Sequence, residues 1–494
     1  IRDKLVTGVQ TCALPILPGP FNANRDHVDA AIRVFEARGF EVVPISAVRQ
    51  RLAFLRQADP AAVVYMPHGR LTVGQADEAR QWLTERNIPL FAPVSVFTEE
   101  SEWLADQRSF DGGLLTMSVT LPEIDGATTP MAIAAQFRDR DGLRVFRALP
   151  QRLERFADLV QRTVALKAKA NADKKLAIYY YKGPGQSALT AGDLEVAPSL
   201  YALLKRLRAD GYRVDGLPAT EADFARLLQR RGPNIGPYAK GDLSKFLSEA
   251  DPAWVQATQL KDWCGQQIAQ LLCDQVARQF GPAPGVYLSD RAGDEGRVAV
   301  ARVPLGNVVL LPQPLSGVGD DTFKIVHGTQ LAPPWPYVAS YLWTREVFGA
   351  DAVMHFGTHG SLEFTPSKQV ALSDNDWPDA LIGQVPHLYL YTMGNVGEAM
   401  IAKRRSYATI VSHLTPPLRE GGAQSGYKQL ADRLQTWGAT GSPALKHQYA
   451  QDIQRQAVTL GLHRDLSFAA EQPWSDAQLE QLADHMETVE DARI

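Results

Sequence analysis

Short apolar runs alternate with amphipathic helical patterns in the first part of the chain, and this alternation constrains the fold most. The runs Phe40–Ile45, Ala62–Met66 and Ile88–Val96 have the length and apolar content of buried strands. A helical pattern that ends near Gly39 precedes the first run, and further helical segments separate the others. Such alternation predicts an α/β chain built on parallel sheets.

A second unit of the same kind begins with the apolar run that starts at Leu176. This run leads into the glycine-rich turn Gly183–Gly185 and then into a helix over Pro198–Leu207. The turn lacks the GxxxxGK[ST] pattern of a P-loop, so it predicts a strand-to-helix connection and not an ATP site.

The polar stretch that follows a long helical pattern over Arg152–Lys169 marks a junction between domains. We therefore predict several parallel-sheet α/β domains in a multidomain chain. They are an N-terminal domain over 17–170, a second with a helical insertion over 171–300, and the truncated start of a third over 301–494. Residues 1–16 contain VTGVQTCALPI, which reads like a translated sequencing adapter, and we expect them to be non-native.

Composition excludes several classes of function. The net charge of -4 gives no electrostatic basis for nucleic-acid binding. No run approaches the ~18 apolar residues that a membrane helix needs. Of three cysteines, Cys12 lies in the adapter-like segment, and Cys264 and Cys273 lack CxxC spacing. The sequence therefore predicts no disulfide framework and a cytoplasmic location.

The segment Ala352–Phe364, AVMHFGTHGSLEF, gathers two imidazoles and a carboxylate around a glycine-bearing turn. His355 falls at the end of a β-forming run, and His359 and Glu363 follow within eight positions. Ligands of open α/β sheets bind at the carboxyl ends of strands, where both histidines are expected. Imidazole and carboxylate suit a divalent metal ion, so we predict a metal-handling site.

A zinc-hydrolase interpretation is the nearest rival, because His355 and His359 have the spacing of the HExxH helix. That motif needs Glu directly after the first histidine, where this chain has Phe356, and glycines interrupt the helix. Turn or core histidines without a ligand are the structural alternative.

A second segment, GNVGEAMIAKRR, adds Glu398 at the head of a basic helix. Asn395 and Glu398 have capping-box spacing, so a purely structural role for this carboxylate stays open. Lys403, Arg404 and Arg405 complement the helix dipole in its later turns. The same cations can bind carboxylates of a ligand.

Several segments together resemble a known family. GNVVLLPQP at 306–314, FGADAVMHFGTHGSLEF at 348–364 and EAMIAKRR at 398–405 are similar to the large, porphyrin-binding subunits of ATP-dependent metal chelatases. This family contains the CobN-type cobaltochelatase subunit and the magnesium chelatase H subunit. The resemblance continues through LPEIDGA at 121–127 and covers nearly everything from about residue 17. Thr358 and LPEIDGA are closer in wording to the cobalt class.

The resemblance implies a role for each candidate residue. His355, His359 and Glu363 are the expected metal-handling residues, and Glu398 and Glu363 the expected catalytic carboxylates. Lys403, Arg404 and Arg405 are expected to bind acidic side chains of the substrate.

The implied function is insertion of Co²⁺ into a corrin precursor of the hydrogenobyrinic acid a,c-diamide type during cobalamin biosynthesis. The resemblance also implies that separate AAA+ partner subunits hydrolyse the ATP, and the absence of a P-loop pattern from this sequence agrees with that expectation. Insertion of Mg²⁺, removal of metal from haem, and non-catalytic tetrapyrrole or metal binding are the alternatives.

Overall fold

The computed structural model describes residues 4–8, 25–46, 49–66, 68–110, 112–181, 190–191, 194–232, 246–248, 250–316, 331–357, 360–392, 396–413, 422–466 and 468–491. Its contacts divide the chain into two units, Ile1–Leu414 and Thr415–Ile494. The first unit combines helices with parallel-containing sheets, which confirms the predicted α/β class.

All strands described lie in the first unit. In chain order they are β1 (Lys4–Gly8), β2 (Glu41–Ile45), β3 (Ala62–Tyr65), β4 (Leu90–Phe91), β5 (Val94–Glu99), β6 (Ala132–Arg138), β7 (Arg144–Ala148), β8 (Leu176–Tyr180), β9 (Thr190–Ala191), β10 (Leu194–Glu195), β11 (Ala253–Gln256), β12 (Arg297–Val300), β13 (Val303–Leu305), β14 (Val308–Pro312), β15 (Ala352–Phe356), β16 (His387–Thr392) and β17 (Thr409–His413).

Helices cover the sheets of the first unit and build the second. In chain order the α-helices are α1 (Asp26–Ala37), α2 (Arg51–Ala58), α3 (Ala76–Glu85), α4 (Glu100–Ala105), α5 (Gly112–Leu115), α6 (Leu121–Ile124), α7 (Pro150–Ala168), α8 (Val196–Ala209), α9 (Glu221–Arg231), α10 (Ala257–Trp263), α11 (Gln270–Phe280), α12 (Trp335–Leu342), α13 (Trp377–Ile382), α14 (Val396–Arg405), α15 (Gly422–Ala439), α16 (Pro443–Thr459), α17 (Leu462–Asp465) and α18 (Asp476–Asp491). Short 3₁₀ turns lie at Asn171–Asp173 and Leu362–Phe364, and π-helical turns at Thr116–Thr120 and Trp343–Phe348.

A four-stranded parallel sheet opens the chain, with strand order β2-β1-β3-β4. The predicted strands near residues 40, 62 and 88 are present, and the third divides into β4 and β5, which belong to different sheets. β1 pairs with both β2 and β3, so the segment predicted to be non-native contributes a strand here.

The larger sheet has six strands in the order β13-β14-β8-β15-β16-β17. The five neighbouring strands β14, β8, β15, β16 and β17 run parallel to one another. β13 pairs antiparallel with β14 at one edge. β8 lies between β14 and β15, so this sheet combines a strand from before the predicted boundary at residue 300 with strands from after it.

One shared core joins the two sheets through α7. Phe156 of α7 forms edge-on ring contacts with Phe35 of α1 and Phe91 of β4. The same buried cluster extends to Val309 and Leu311 of the larger sheet. Burial of apolar surface stabilises a protein by about 25 cal/mol per Å², so this shared core is a major source of stability.

Cys264 and Cys273 form a disulfide, which contradicts the prediction of no disulfide framework for this pair. The turn between α10 and α11 reverses the chain, so the Cα atoms lie 6.1 Å apart although nine positions separate them in sequence. Sequence spacing alone did not reveal this reversal.

A buried ion-pair group, the arginine–aspartate cluster, consists of Arg152, Arg155, Asp374 and Asp379. Arg152 donates from Nη1 to Asp379 Oδ1 at 2.8 Å and from Nη2 to Asp379 Oδ2 at 2.7 Å. Arg152 and Arg155 both pair with Asp374. The bidentate pair with Asp379 fastens α7 to α13, and the pairs with Asp374 fasten α7 to the segment that leads into α13.

The second unit packs helices α15, α16 and α18 around its own apolar core. Leu430, Trp437, Ile453 and Leu479 are buried in that core. Across the described ranges of both units, every helix is too short or too polar to cross a bilayer.

Candidate functional site

The strand order of the larger sheet locates a natural binding position. β14-β8-β15-β16-β17 is the doubly wound order 2-1-3-4-5, in which the connections change direction between the first and third strands in sequence. Here that switch point lies between β8 and β15. Ligands of such sheets bind outside the carboxyl ends of these two strands, and His355 is the penultimate residue of β15.

Three rings lie in register across neighbouring strands beside this point. His355 pairs in register with Tyr179 of β8 and with Tyr389 of β16. Its ring centroid lies 5.2 Å from each tyrosine ring, with interplanar angles of 21° and 24°. The parallel strands thus stack the imidazole between two aromatic faces, which fixes its plane.

Both nitrogens of His355 have partners within the protein. Nε2 lies 2.8 Å from the hydroxyl of Tyr341 on α12, and Nδ1 lies 2.6 Å from Nε2 of His387. Burial lowers the pKa of His355 well below its usual value and that of His387 to about 4. Both imidazoles are therefore neutral near pH 7. We call Tyr341, His355, His387, Tyr389 and Glu363 the histidine–tyrosine cluster.

Two tyrosines on one face of β16 each hold one of the predicted carboxylates. The hydroxyl of Tyr389 donates to Oε1 of the fully buried Glu363. Two residues further along the strand, the hydroxyl of Tyr391 donates to Oε2 of Glu398 at 2.6 Å. Burial raises the pKa of both tyrosines, so both hydroxyls remain protonated donors. The period-two geometry of a strand thereby brings together carboxylates that are 35 positions apart.

The segment that carries Glu363 is fastened from two sides. Arg405, at the end of α14, donates to the carbonyl oxygens of Glu363, Thr365 and Lys368. The Lys368 ammonium donates to carbonyl oxygens at the end of α4, including that of Trp103 at 2.6 Å. These bonds to backbone oxygens place the Glu363 carboxylate with little freedom.

The basic end of α14 divides into different roles. Arg404 pairs with Glu123 of α6 at 2.7 Å, and Arg405 is buried among the carbonyls just described. Both guanidinium groups therefore already bind groups within the protein, and their role in substrate binding stays a prediction. Lys403 is half-buried, and burial lowers the pKa of its ammonium group.

Of the four residues predicted to handle metal or to be catalytic, three lie within the described residues. His355, Glu363 and Glu398 lie at the carboxyl-end side of the larger sheet, linked through Tyr389 and Tyr391. His359 lies outside the described residues, as does Asn395 of the predicted capping box. Within the described part of the chain, no group of three or more His, Cys, Asp or Glu side chains is arranged to hold a metal ion.

Sequence reasoning missed Tyr341, His387, Tyr389 and Tyr391. A signal for three of them was present, because HLYLYT at 387–392 alternates polar rings with aliphatic residues. Such alternation indicates a strand with one polar face. Tyr341 gave no comparable signal, since α12 is buried along its whole length.

Two neutral imidazoles and two tyrosine-held carboxylates thus lie beside the switch point of the larger sheet, where α/β proteins bind ligands. The chain belongs to the CobN/magnesium chelatase family, because the family model described as CobN/Magnesium Chelatase matches residues 18–494. The family resemblance inferred from sequence is thereby confirmed.

Both metal classes occur among its relatives. The chloroplastic magnesium-chelatase subunit ChlH of Oryza sativa subsp. indica is 32% identical over 469 residues, covering 90% of this chain and 32% of the rice protein. The aerobic cobaltochelatase subunit CobN of Pseudomonas aeruginosa is 29% identical over 440 residues, covering 83% of this chain and 34% of that protein. The chain thus spans about a third of the length of these curated relatives.

A solved structure has a similar fold. The catalytic subunit of cobaltochelatase from Mycobacterium tuberculosis superposes with a TM-score of 0.70 at 26% sequence identity. The match covers 98% of this chain and 41% of the mycobacterial one.

Proposed function

We propose that this chain forms the metal-insertion site of an ATP-dependent chelatase that places Co²⁺ in a corrin precursor of the hydrogenobyrinic acid a,c-diamide type. The observation that carries the proposal is the pair of carboxylates, Glu363 and Glu398, held by neighbouring tyrosines beside the neutral His355. Family membership supports it. The product would enter cobalamin biosynthesis.

The chemistry requires both kinds of group. Insertion forms metal–nitrogen bonds, breaks two pyrrole N–H bonds and releases two protons. We assign Glu398, with Glu363, to accept those protons, because carboxylates placed against the substrate act as general bases. Tyr391 orients the Glu398 carboxylate through its 2.6 Å hydrogen bond.

The incoming metal must be held only in passing. We assign His355 and His359 to transient binding of the ion, since imidazole is a good ligand for cobalt. A closed four-ligand site would trap the ion, so we expect few protein ligands and positions left for the tetrapyrrole nitrogens. Lys403 is assigned to an acidic side chain of the macrocycle.

Energy is assigned to separate AAA+ ATPase subunits, as the family resemblance implies; the given sequence contains no P-loop pattern. Such partners need a compartment that contains ATP, which supports a cytoplasmic location. The tetrapyrrole and these subunits are the proposed partners.

Magnesium is the second candidate substrate. The 32% identity to the rice magnesium-chelatase subunit favours it, and the motif wording at Thr358 favours cobalt.

The test combines the protein with chelatase ATPase subunits, ATP and a candidate tetrapyrrole, and adds Co²⁺ or Mg²⁺ in parallel. Insertion is followed through the visible spectrum of the macrocycle, and omission of ATP is the control. We expect an ATP-dependent spectrum of the cobalt corrinoid. Product with Mg²⁺ alone would reassign the metal, and release of metal from haem would reverse the reaction. Binding without any conversion would leave a carrier and contradict the proposal.

A further inference from the structure

We propose that His387 is a positioning residue that fixes the tautomer of His355. We also propose that the Tyr341 hydroxyl is a displaceable hydrogen-bond donor to the lone pair of His355. This inference rests on the proposed function, in which His355 handles the incoming metal.

The carbonyl of Ser406 sets the direction of the chain of bonds. His387 Nδ1 lies 2.9 Å from Ser406 O, and a carbonyl oxygen accepts but does not donate. Nδ1 of His387 therefore carries the proton. A neutral imidazole has one N–H, so Nε2 of His387 carries a lone pair.

The position of the proton on His355 follows from that on His387. Its Nδ1 lies 2.6 Å from the bare Nε2 of His387, so Nδ1 of His355 must donate. The lone pair of His355 is then on Nε2, where it accepts the proton of the Tyr341 hydroxyl at 2.8 Å. The four groups form a one-way series from Tyr341 through His355 and His387 to Ser406.

The anchor of this series is firmly held. Ser406 is fully buried, and its backbone N–H and its hydroxyl both donate to Ala402 O, at 3.0 and 2.8 Å. Ser406 directly follows α14, and Arg405 before it is bound by three carbonyls of the Glu363 segment. One helix thus presents Glu398 in its first turn and fixes the His355 tautomer at its far end.

This arrangement suits a ligand that must bind and release. Metal-binding histidines usually donate their other N–H to an acceptor that orients the ring, and His387 occupies that place for His355. The Tyr341 hydroxyl covers the nitrogen that would bind the ion. Metal binding therefore requires Tyr341 to turn away, and its return favours release of the ion. Gln313 Nε2 donates to the same hydroxyl at 3.4 Å.

The first test reads the tautomer directly. Long-range ¹H–¹⁵N correlation spectra of the protein labelled with ¹⁵N-histidine, with assignments from His355→Gln and His387→Gln, report which ring nitrogen is protonated. We expect Nδ1–H in both residues. Nε2–H on His355 would overturn the inference. Because no metal insertion is involved, this result is independent of the proposed function.

The second test titrates the protein with Co²⁺ alone and follows its visible absorption bands. His387→Leu removes the acceptor for His355 and should weaken binding by about 10- to 100-fold. His387→Gln offers a side-chain carbonyl as a substitute acceptor and should recover part of that loss. A purely structural role would show equal losses for both variants and would overturn the positioning role.

Tyr341→Phe uncovers Nε2 and should tighten Co²⁺ binding severalfold. The matched control is Tyr201→Phe, because the Tyr201 hydroxyl donates to Ala219 O at 2.8 Å and not to His355. Its affinity should remain that of the parent protein. Unchanged or weaker binding in Tyr341→Phe would overturn the role of Tyr341. Tighter Co²⁺ binding by Tyr341→Phe together with no insertion by the parent protein would instead refute the proposed function alone.

Discussion

The arginine–aspartate cluster and the histidine–tyrosine cluster are both buried polar groups of the first unit, yet they are built differently. In the first, guanidinium groups bind Asp374 and Asp379, so opposite charges pair within the protein. In the second, neutral rings are joined by directional hydrogen bonds, and Glu363 accepts from a tyrosine. The first arrangement fastens elements together, whereas the second sets lone pairs and carboxylates at strand ends.

Their positions in the fold agree with this division. The arginine–aspartate cluster joins α7 to α13 and to the segment before it. The histidine–tyrosine cluster lies beside the switch point of the larger sheet, where α/β proteins bind ligands. Tyr407 follows the Ser406 anchor and donates to Asp379, so the two clusters meet at the turn after α14.

Breaking the charged cluster should give the largest change in stability. Arg152→Met leaves Asp379 buried without its bidentate partner, and we expect the free energy of unfolding to fall by about 3–5 kcal/mol. Urea unfolding measures this change. Arg206→Met, which removes an exposed pair with Asp210, should leave stability nearly unchanged. Equal stability of the two variants would contradict the fastening role of the cluster.

His27, a buried histidine outside both clusters, should account for part of the loss of stability at low pH. Burial lowers the pKa of His27 from 6.5 to about 4, so the unfolded chain binds its proton first as pH falls. Stability should therefore be lost between pH 6.5 and about 4, by roughly 3 kcal/mol from this residue. His27→Leu should flatten that slope in urea titrations at a series of pH values. Replacement of the exposed His447 by Gln should not alter it, and an unchanged slope in His27→Leu would contradict the assignment.

Removing one hydroxyl beside the site should give the smallest effect. Tyr391→Phe deletes the donor to Glu398, a charged hydrogen bond of about 1.5 kcal/mol, and should slow metal insertion about tenfold. Tyr201→Phe deletes a hydroxyl bonded to Ala219 O and should leave the rate unchanged. Loss of folding, measured by circular dichroism, would separate a structural effect from a catalytic one. A full insertion rate in folded Tyr391→Phe would exclude an orienting role.

Local sequence patterns predicted the elements of the site better than its contacts. The apolar run before His355 predicted β15, and the glycines after it correctly excluded a continuous helix. The run from Leu176 predicted β8, but only the structure places that strand between β14 and β15. Strand order depends on long-range pairing, which a local pattern does not encode.

Side-chain partners were the least predictable feature. Arg404 and Arg405 read as one basic patch with Lys403, yet Glu123 and a set of carbonyls bind two of the three. These partners come from α6 and from the segment after Glu363, and neither proximity follows from helical spacing. The disulfide between Cys264 and Cys273 shows the same limit, because the connection between two helices brings the two residues together.

The most direct measurement compares tetrapyrrole binding and metal insertion in Glu398→Gln, with the exposed Glu85→Gln as the matched control. Glutamine keeps the size and hydrogen-bonding capacity of Glu398 but does not accept a proton at neutral pH. We predict nearly unchanged tetrapyrrole affinity and an insertion rate at least ~100-fold lower than in the parent protein. Undiminished insertion by Glu398→Gln would contradict the account.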